Sequence, residues 1–374
     1  MNKKEYEERI LLSHGGGGKD TAELISGIIF GELYGGNANM SDMSIAVRRI
    51  KLLEDAAVLK SPQNIAFTTD SFTVSPIFFK GGDIGKLSVA GTVNDLSVMG
   101  ARPLFLSLGL IIEEGFSSED LRKIINGIAK EAGKTGVTVV TGDTKVVPSG
   151  KADGIFINTS GIGEILYDNL SVYNIKAGDV IIVSGNVGDH GAAIMSQREG
   201  IEMDVEIESD CASLWDMIKT VLDGGVTVSA IRDATRGGLA AVLNEWALAA
   251  KADIYIEEDK IPVSGSVKGF CEILGFEPYQ LACEGRSIYA VKPESAEKAL
   301  GILKSHPFGK NAEIIGAVGA GICAGKGKGA GESAGAYEYT DGNSNNLGKV
   351  ILKGIYGINR LLDYPSGELL PRIC

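Results

Sequence analysis

The spacing of apolar positions along the chain predicts two successive units of mixed helix and strand. Residues 22–33 place Leu24, Ile25, Ile28, Ile29 and Leu33 on one face of a helix, just after the glycine run Gly15–Gly18. The segment Ile65-Ala-Phe-Thr-Thr-Asp70 reads as a strand ending in a carboxylate. Residues 85–99 read as a helix stopped at Gly100, and Leu104–Leu110 as the strand that follows. The most regular stripe is 118–132, where Leu121, Ile124, Ile125, Ile128, Ala129 and Ala132 recur at helical period. Ser117 and Asp120 supply a capping start to it, and Gly133 supplies a stop. Val137–Val140 predicts a strand that runs straight into Gly142-Asp143-Thr144-Lys145, and 154–159 another strand.

A second unit begins near Lys176-Ala-Gly-Asp179, so the boundary falls at about 165–175. The strand Val180–Ser184 leads through Gly185-Asn-Val-Gly188-Asp-His-Gly191 into a helix, and 239–250 is amphipathic through Leu239, Val242, Leu243 and Trp246. Residues 317–346 break the pattern. Gly, Ala, Ser and Asn dominate there, and too little apolar surface is available to offset ordering entropy, so a flexible loop or insertion is expected. A strand at Lys349–Ile355 and a turn at Tyr364-Pro-Ser-Gly367 follow. The expected organisation is 1–170, 171–360 and a flexible tail, 361–374, that carries Cys374.

Composition changes this picture little. The 374 residues are 44% hydrophobic and 22% charged, ordinary for two globular domains, and only glycine is in excess, with 51 residues. A formal net charge of −12 gives no general attraction for nucleic acid or anionic lipid, so neither is an expected partner. The opening residues are charged, and no apolar run reaches the roughly 20 residues of a membrane span, which predicts a cytoplasmic protein. Five dispersed cysteines, without a CxxC pair, argue against a disulfide framework and for a reducing compartment; with only three histidines, a structural zinc site is not expected.

Four constellations carry candidate chemistry. Asp55, Asp70, Asp95, Asp143 and Asp233 each stand beside small or hydroxyl residues, with Asn94 and Thr144 adjacent. One such aspartate is explained by helix or turn capping; five with glycine loops point to Mg²⁺, which takes hard oxygen ligands and bridges to substrate phosphates. Gly16, Gly17 and Gly18, between His14 and Lys19, let backbone N–H groups approach a phosphate, although Ser13 and Asp20 exclude a P-loop. Lys145 and Glu284 are charges set in short polar breaks; pattern alone does not separate a catalytic role from a solvated one. Cys374 is the last residue of the sequence, with Arg372 favouring the thiolate and the terminal carboxylate opposing it. Fourteen tail residues span about 45 Å when extended, so a thiol there can visit both a partner and its own cleft.

Taken in order, these segments resemble the HypE family of carbamoyl dehydratases in the aminoimidazole-ribonucleotide-synthetase-like superfamily. The resemblance rests on Ser13-His-Gly-Gly-Gly-Gly18, Glu54-Asp-Ala-Ala57, Thr68-Thr-Asp-Ser71, Gly91-Thr-Val-Asn-Asp-Leu-Ser-Val-Met-Gly-Ala101, Thr141-Gly-Asp-Thr-Lys-Val-Val147, Gly188-Asp-His-Gly191, Arg232-Asp-Ala-Thr-Arg-Gly-Gly238, Leu281-Ala-Cys-Glu-Gly285 and Pro371-Arg-Ile-Cys374. Several are shared across the superfamily; the terminal Pro-Arg-Ile-Cys is specific. The resemblance implies a two-domain α/β (α+β) PurM-like fold, with an N-terminal ATP-binding domain dimerising through a β-barrel and a C-terminal sandwich of sheet and helices.

It also implies a chemistry. The thiol of Cys374 receives a carbamoyl group from the carbamoyltransferase HypF, and ATP with Mg²⁺ drives its dehydration to S-cyanocysteine. The cyanide passes to iron on HypC–HypD during nickel–iron hydrogenase assembly. By similarity, Glu284 accepts a proton, Lys145 orients or contacts phosphate, and the aspartates hold metal and nucleotide. The segment 317–346 departs from the family by its length and its Gly/Ala content. Selenophosphate synthetase and aminoimidazole ribonucleotide synthetase are competing readings. The former expects a reactive Cys or selenocysteine near the N-terminal glycine loop, where the first cysteine here is Cys211. A non-enzymatic scaffold is the third, and all five acidic positions weigh against it.

Overall fold

The computed structural model describes residues 9–15, 19–34, 64–200, 206–319, 348–354, 357–365 and 372–374. Asp55, Gly16–Gly18, most of the Gly/Ala-rich segment 317–346 and the end of the turn at Tyr364–Gly367 lie outside them.

The first unit is a four-stranded sheet with helices on one face. After helix α1 (Lys19–Leu24), a wider π turn at Ile25–Ile29 precedes α2 (Phe30–Tyr34). The predicted helix is therefore present but interrupted around Ser26-Gly27, while Leu24, Ile28 and Ile29 still reach the core. Strand β1 (Ile65–Phe72), the short pair β2 (Phe78–Phe79) and β3 (Gly82–Asp83), helix α3 (Ile84–Val98) and the long strand β4 (Ala101–Glu113) follow. Helix α4 (Ser118–Thr135), β5 (Thr138–Val147) and β6 (Ile155–Ile165) complete the unit. Ser117 Oγ caps α4 by accepting from Asp120 N at 3.3 Å. The helix passes through Gly133 and stops at Gly136, which takes the left-handed conformation at φ 73°.

The sheet order is β1-β6-β4-β5, with β4 and β5 parallel and the other neighbours antiparallel. Among the described residues the four strands form no closed barrel, with β1 and β5 at the two ends of the strand order, so the barrel expected on dimerisation is not seen within one chain. A second difference is β5, which continues as strand through Gly142-Asp143-Thr144-Lys145, where the sequence suggests a loop. Its parallel ladder on β4 extends to Val147 and supplies the backbone pairing that holds these polar residues extended.

The second unit begins with β7 (Val180–Val183), α5 (Asp189–Arg198), α6 (Trp215–Asp223), β8 (Val228–Asp233), α7 (Gly238–Ala250), β9 (Ile254–Glu257) and α8 (Gly265–Leu274). It continues with β10 (Ser287–Val291), α9 (Ala296–Ser305), β11 (Glu313–Val318), β12 (Val350–Lys353) and β13 (Asn359–Leu361). The seven strands run β13-β12-β9-β11-β7-β10-β8. Every residue of β10 is buried, because helices cover both faces. Leu239, Val242, Leu243 and Trp246 of α7 pack with Ile181, Val183 and Ile288. Met217, Ile218 and Val221 of α6 and Ala299 and Leu303 of α9 pack on the other face with Ile182, Ile231 and Tyr289.

Helix α3 joins the units. It is apolar nearly all round, as a helix with no solvent face must be, and touches β1, β6 and α4 on one side and β8 and α6 on the other. Among the described residues no helix is long and apolar enough to cross a membrane.

Candidate functional site

The cleft lies where the last turn of α3 meets the ends of β1 and β8. Residues of β1 alternate between sheet faces, so Thr68, Asp70 and Phe72 point toward α3. Asp95, in the last turn of α3, accepts a hydrogen bond from Thr68 Oγ1 at 2.7 Å. Asp233 ends β8 and is buried. Its proton affinity is raised to about 7, first by burial and then by the Asp95 charge. Asp70 and Asp95 are also raised, each mainly by burial, with Asp95 adding to the effect at Asp70. Three acids drawn from two domains thus share one poorly solvated space.

Glu284 closes the cleft from the segment before β10. It is 2% exposed, and its Oε1 has no hydrogen-bond partner among the described residues. Its carboxyl is pushed well above the usual range by burial first, then by Asp233, Asp210, Asp70 and Asp95. Its backbone is tied down on all sides: Glu284 N donates to Asp210 Oδ1 at 3.0 Å, and Glu284 O accepts from Ala212 N at 3.3 Å. Gly285 is required beside it, since a Cβ there would stand 1.8 Å from Asp210 O. Asn94, one residue before Asp95, donates to Ala212 O at 3.1 Å and Glu284 O at 3.4 Å and accepts from Leu214 N at 2.8 Å. Its amide holds the two domains together and fixes Glu284, which leaves it spent on backbone groups rather than turned to a nucleotide.

The last three residues sit in the same cleft rather than in solution. Cys374 O accepts from Thr73 N at 2.9 Å and Thr73 Oγ1 at 3.1 Å. Ile373 is 4% exposed and packs in the core of the first unit. The Cys374 thiol is pushed up to about 12 by burial, with Glu284 and Asp70 adding to the shift and Arg236 opposing it. In this seat the sulfur is a neutral thiol, not a thiolate. Cys211, Cys271 and Cys283 are buried and pushed up as well, Cys211 and Cys283 most strongly.

Asp143, Thr144 and Lys145 are not part of this group. Asp143 and Lys145 point away from α3 on the outer face of the sheet, both exposed, and pair with each other at 2.7 Å. The lysine holds the Asp143 carboxyl below its usual value. Among the described strands theirs is the one farthest from β1, about 14 Å across the sheet at ordinary strand spacing. Thr144 is buried on the inner face. Among the described residues no three His, Cys, Asp or Glu side chains converge closely enough to hold a metal by themselves.

The chain matches the AIR synthase related protein N-terminal domain over residues 53–165 and the corresponding C-terminal domain over 176–322. It is 41% identical to the carbamoyl dehydratase HypE of Escherichia coli over 98% of this chain and 99% of that protein. The chain belongs to the HypE carbamoyl dehydratase family. A HypE crystal structure in complex with ATP superposes with a TM-score of 0.84 at 41% identity, covering 97% of this chain and 99% of that one. A HypE chain from a HypE–HypF complex gives 0.72 at 44% identity, covering 91% and 99%. Against the family motifs quoted from the sequence, the geometry adds residues that the sequence did not single out: Asp210, Arg236, Thr73, His190 and Arg198. His190 and Arg236 fall inside quoted motifs, which was the available signal; Thr73, Arg198 and Asp210 matter only through contacts distant in sequence.

Proposed function

We propose that this chain uses ATP to dehydrate a carbamoyl group held on the sulfur of Cys374, giving S-cyanocysteine as the source of cyanide for nickel–iron hydrogenase assembly. The observation that carries the reading is the seating of Cys374 in the carboxylate cleft, where Glu284 and Asp70 both act on its sulfur. The HypE chain solved with ATP and the one solved with HypF support ATP as co-substrate and a HypF-type carbamoyltransferase as the donor that loads the thiol. A HypC–HypD complex is the acceptor of the cyanide.

The amide oxygen is a poor leaving group and must be converted to a better one. It attacks the γ-phosphorus of ATP, and ADP departs. Glu284 Oε1, without a hydrogen-bond partner among the described residues and of high proton affinity, takes one N–H proton as the second C–N bond forms. The C–O bond breaks, phosphate leaves, and the second N–H proton is released to give S–C≡N, ADP and phosphate. Seating of the tail through buried Ile373 would keep water from the thiocarbamate carbon on the Cys374 sulfur.

Asp70, Asp95 and Asp233 fit a magnesium ion as hard oxygen donors whose mutual repulsion a cation would relieve; one or two carboxylates plus nucleotide phosphates suffice for Mg²⁺. When bound, it would neutralise charge on the transferring phosphoryl group. Asp143 and Lys145 serve a cleft only across a second copy of the chain. The outer sheet face around them exposes Ile65, Phe67 and Ile111, and Ile111 is the register partner of Lys145, which supports a homodimer through this face.

The test is mass analysis of the peptide ending in Cys374 after incubation with a HypF-type carbamoyltransferase, carbamoyl phosphate and ATP. Carbamoylation followed by loss of water is expected. An unmodified Cys374, where the Escherichia coli protein is modified in parallel, overturns the reading.

A further inference from the structure

We infer that His190, fixed by Ser209, is the positioning residue that seats the Arg372–Cys374 segment in the cleft and so delivers the Cys374 sulfur to Glu284. This rests on the reading of Cys374 as the carrier thiol.

His190 is fully buried at the start of α5, with its ring edge against Phe79 at a centroid distance of 5.4 Å. Ser209 Oγ accepts from Cys211 N at 3.0 Å, so its own proton is free to point at His190 Nδ1, 2.8 Å away. Nδ1 is then an acceptor and the ring proton lies on Nε2. That proton is donated to Ile373 O at 2.7 Å. Burial lowers the proton affinity of the ring and keeps it in this neutral form.

The neighbouring carbonyls are received in the same way. Arg372 O accepts from Arg198 Nη2 at 2.9 Å and Ser75 N at 3.2 Å, and Cys374 O from Thr73. Arg372 itself is held in the left-handed region at φ 52° by its bonds to Thr73 O, at 2.8 Å, and to Asp153. Three consecutive carbonyls are thus received by two elements, α5 through His190 and Arg198 and the segment after β1 through Thr73 and Ser75, and none of these bonds uses the Cys374 side chain. A group carried on sulfur leaves the docking bonds intact. The partner of His190 is a segment that must leave for loading. Departure strips a buried N–H of the acceptor it has among the described residues, which biases the tail toward the docked position.

The test compares the full-length protein with its His190→Ala, His190→Gln and Ser209→Ala variants. Alkylation of Cys374 by iodoacetamide at fixed pH is followed by mass analysis of its peptide, beside ATP affinity and single-turnover dehydration of carbamoylated protein. His190→Ala is expected to raise the alkylation rate about tenfold and Ser209→Ala several-fold. His190→Gln, which keeps a donor, should recover most of the protection, with ATP affinity unchanged throughout. Dehydration should fall in the same order. Equal alkylation rates overturn the proposal, as does faster alkylation with undiminished dehydration. If His190→Ala does not fold, the glutamine and Ser209 variants decide by the same criteria. Absence of carbamoyl on Cys374 even in the wild type overturns the carrier reading and the positioning role together; carbamoylation with equal alkylation rates overturns the latter alone.

Discussion

Glu284 and Cys374 owe their character to burial rather than to their sequence neighbours. A thiol pushed up to about 12 is a poor nucleophile, which suits a group that holds substrate in the cleft and is loaded elsewhere. Glu284 has the opposite use of the same environment, since low polarity and four nearby acids make it a strong proton acceptor. Glu284→Gln keeps the shape and loses the acceptor. It is expected to slow single-turnover dehydration by about 10²- to 10⁴-fold while leaving carbamoylation of Cys374 intact, which mass analysis separates. Cys374→Ala should bind ATP with unchanged affinity and give no cyanated product; cyanation retained in that variant would place the reactive thiol elsewhere.

At the scale of elements, α3 and β5 show how much of the site was legible. The strand position of Asp70 and the helix-end position of Asp95 follow from period alone; the strand runs two residues past Asp70 to Phe72, and both carboxylates stand in the cleft. Asn94 shares the motif but faces the other domain, a difference of one helical step that local sequence does not encode. Asn94→Leu is expected to destabilise the protein by roughly 2–4 kcal/mol in urea unfolding, because Leu214 N and Ala212 O lose buried partners. The family resemblance implies that Lys145 orients or contacts phosphate. The extended ladder of β5 on β4 instead sends Asp143 and Lys145 outward, since alternation in a strand assigns each residue a face. Phe67→Asp, on that outer face, is expected to convert the proposed homodimer to a monomer in sedimentation velocity; an unchanged dimer would remove this face as the contact.

For the whole molecule, the acids at the domain junction set a pH dependence. Asp189 pairs with Arg286 at 3.5 Å and accepts from Ser264 Oγ at 3.1 Å, yet burial and Asp210 raise its proton affinity from 3.8 to about 6. The folded chain therefore keeps a proton that the unfolded chain has released between these values. Its contribution is fully present below the unfolded value and is lost as pH rises through about 6. Asp189→Asn should gain about 1–2 kcal/mol over the wild type at pH 7 and nothing near pH 4, read from thermal unfolding at both.

The sequence by itself determined the two α/β units, the helical and strand periods, the acidic motifs and a terminal cysteine matched to one family, because period and local chemistry are written in neighbouring residues. Tertiary structure decided which acids meet, that Asp143 and Lys145 face outward, that the four described strands of the first sheet form no closed barrel, and that Ile373 and Cys374 dock beside Glu284. The reason is physical: proton affinity and docking depend on burial and on contacts such as Thr73 with Cys374 or His190 with Ile373, between residues far apart in the chain.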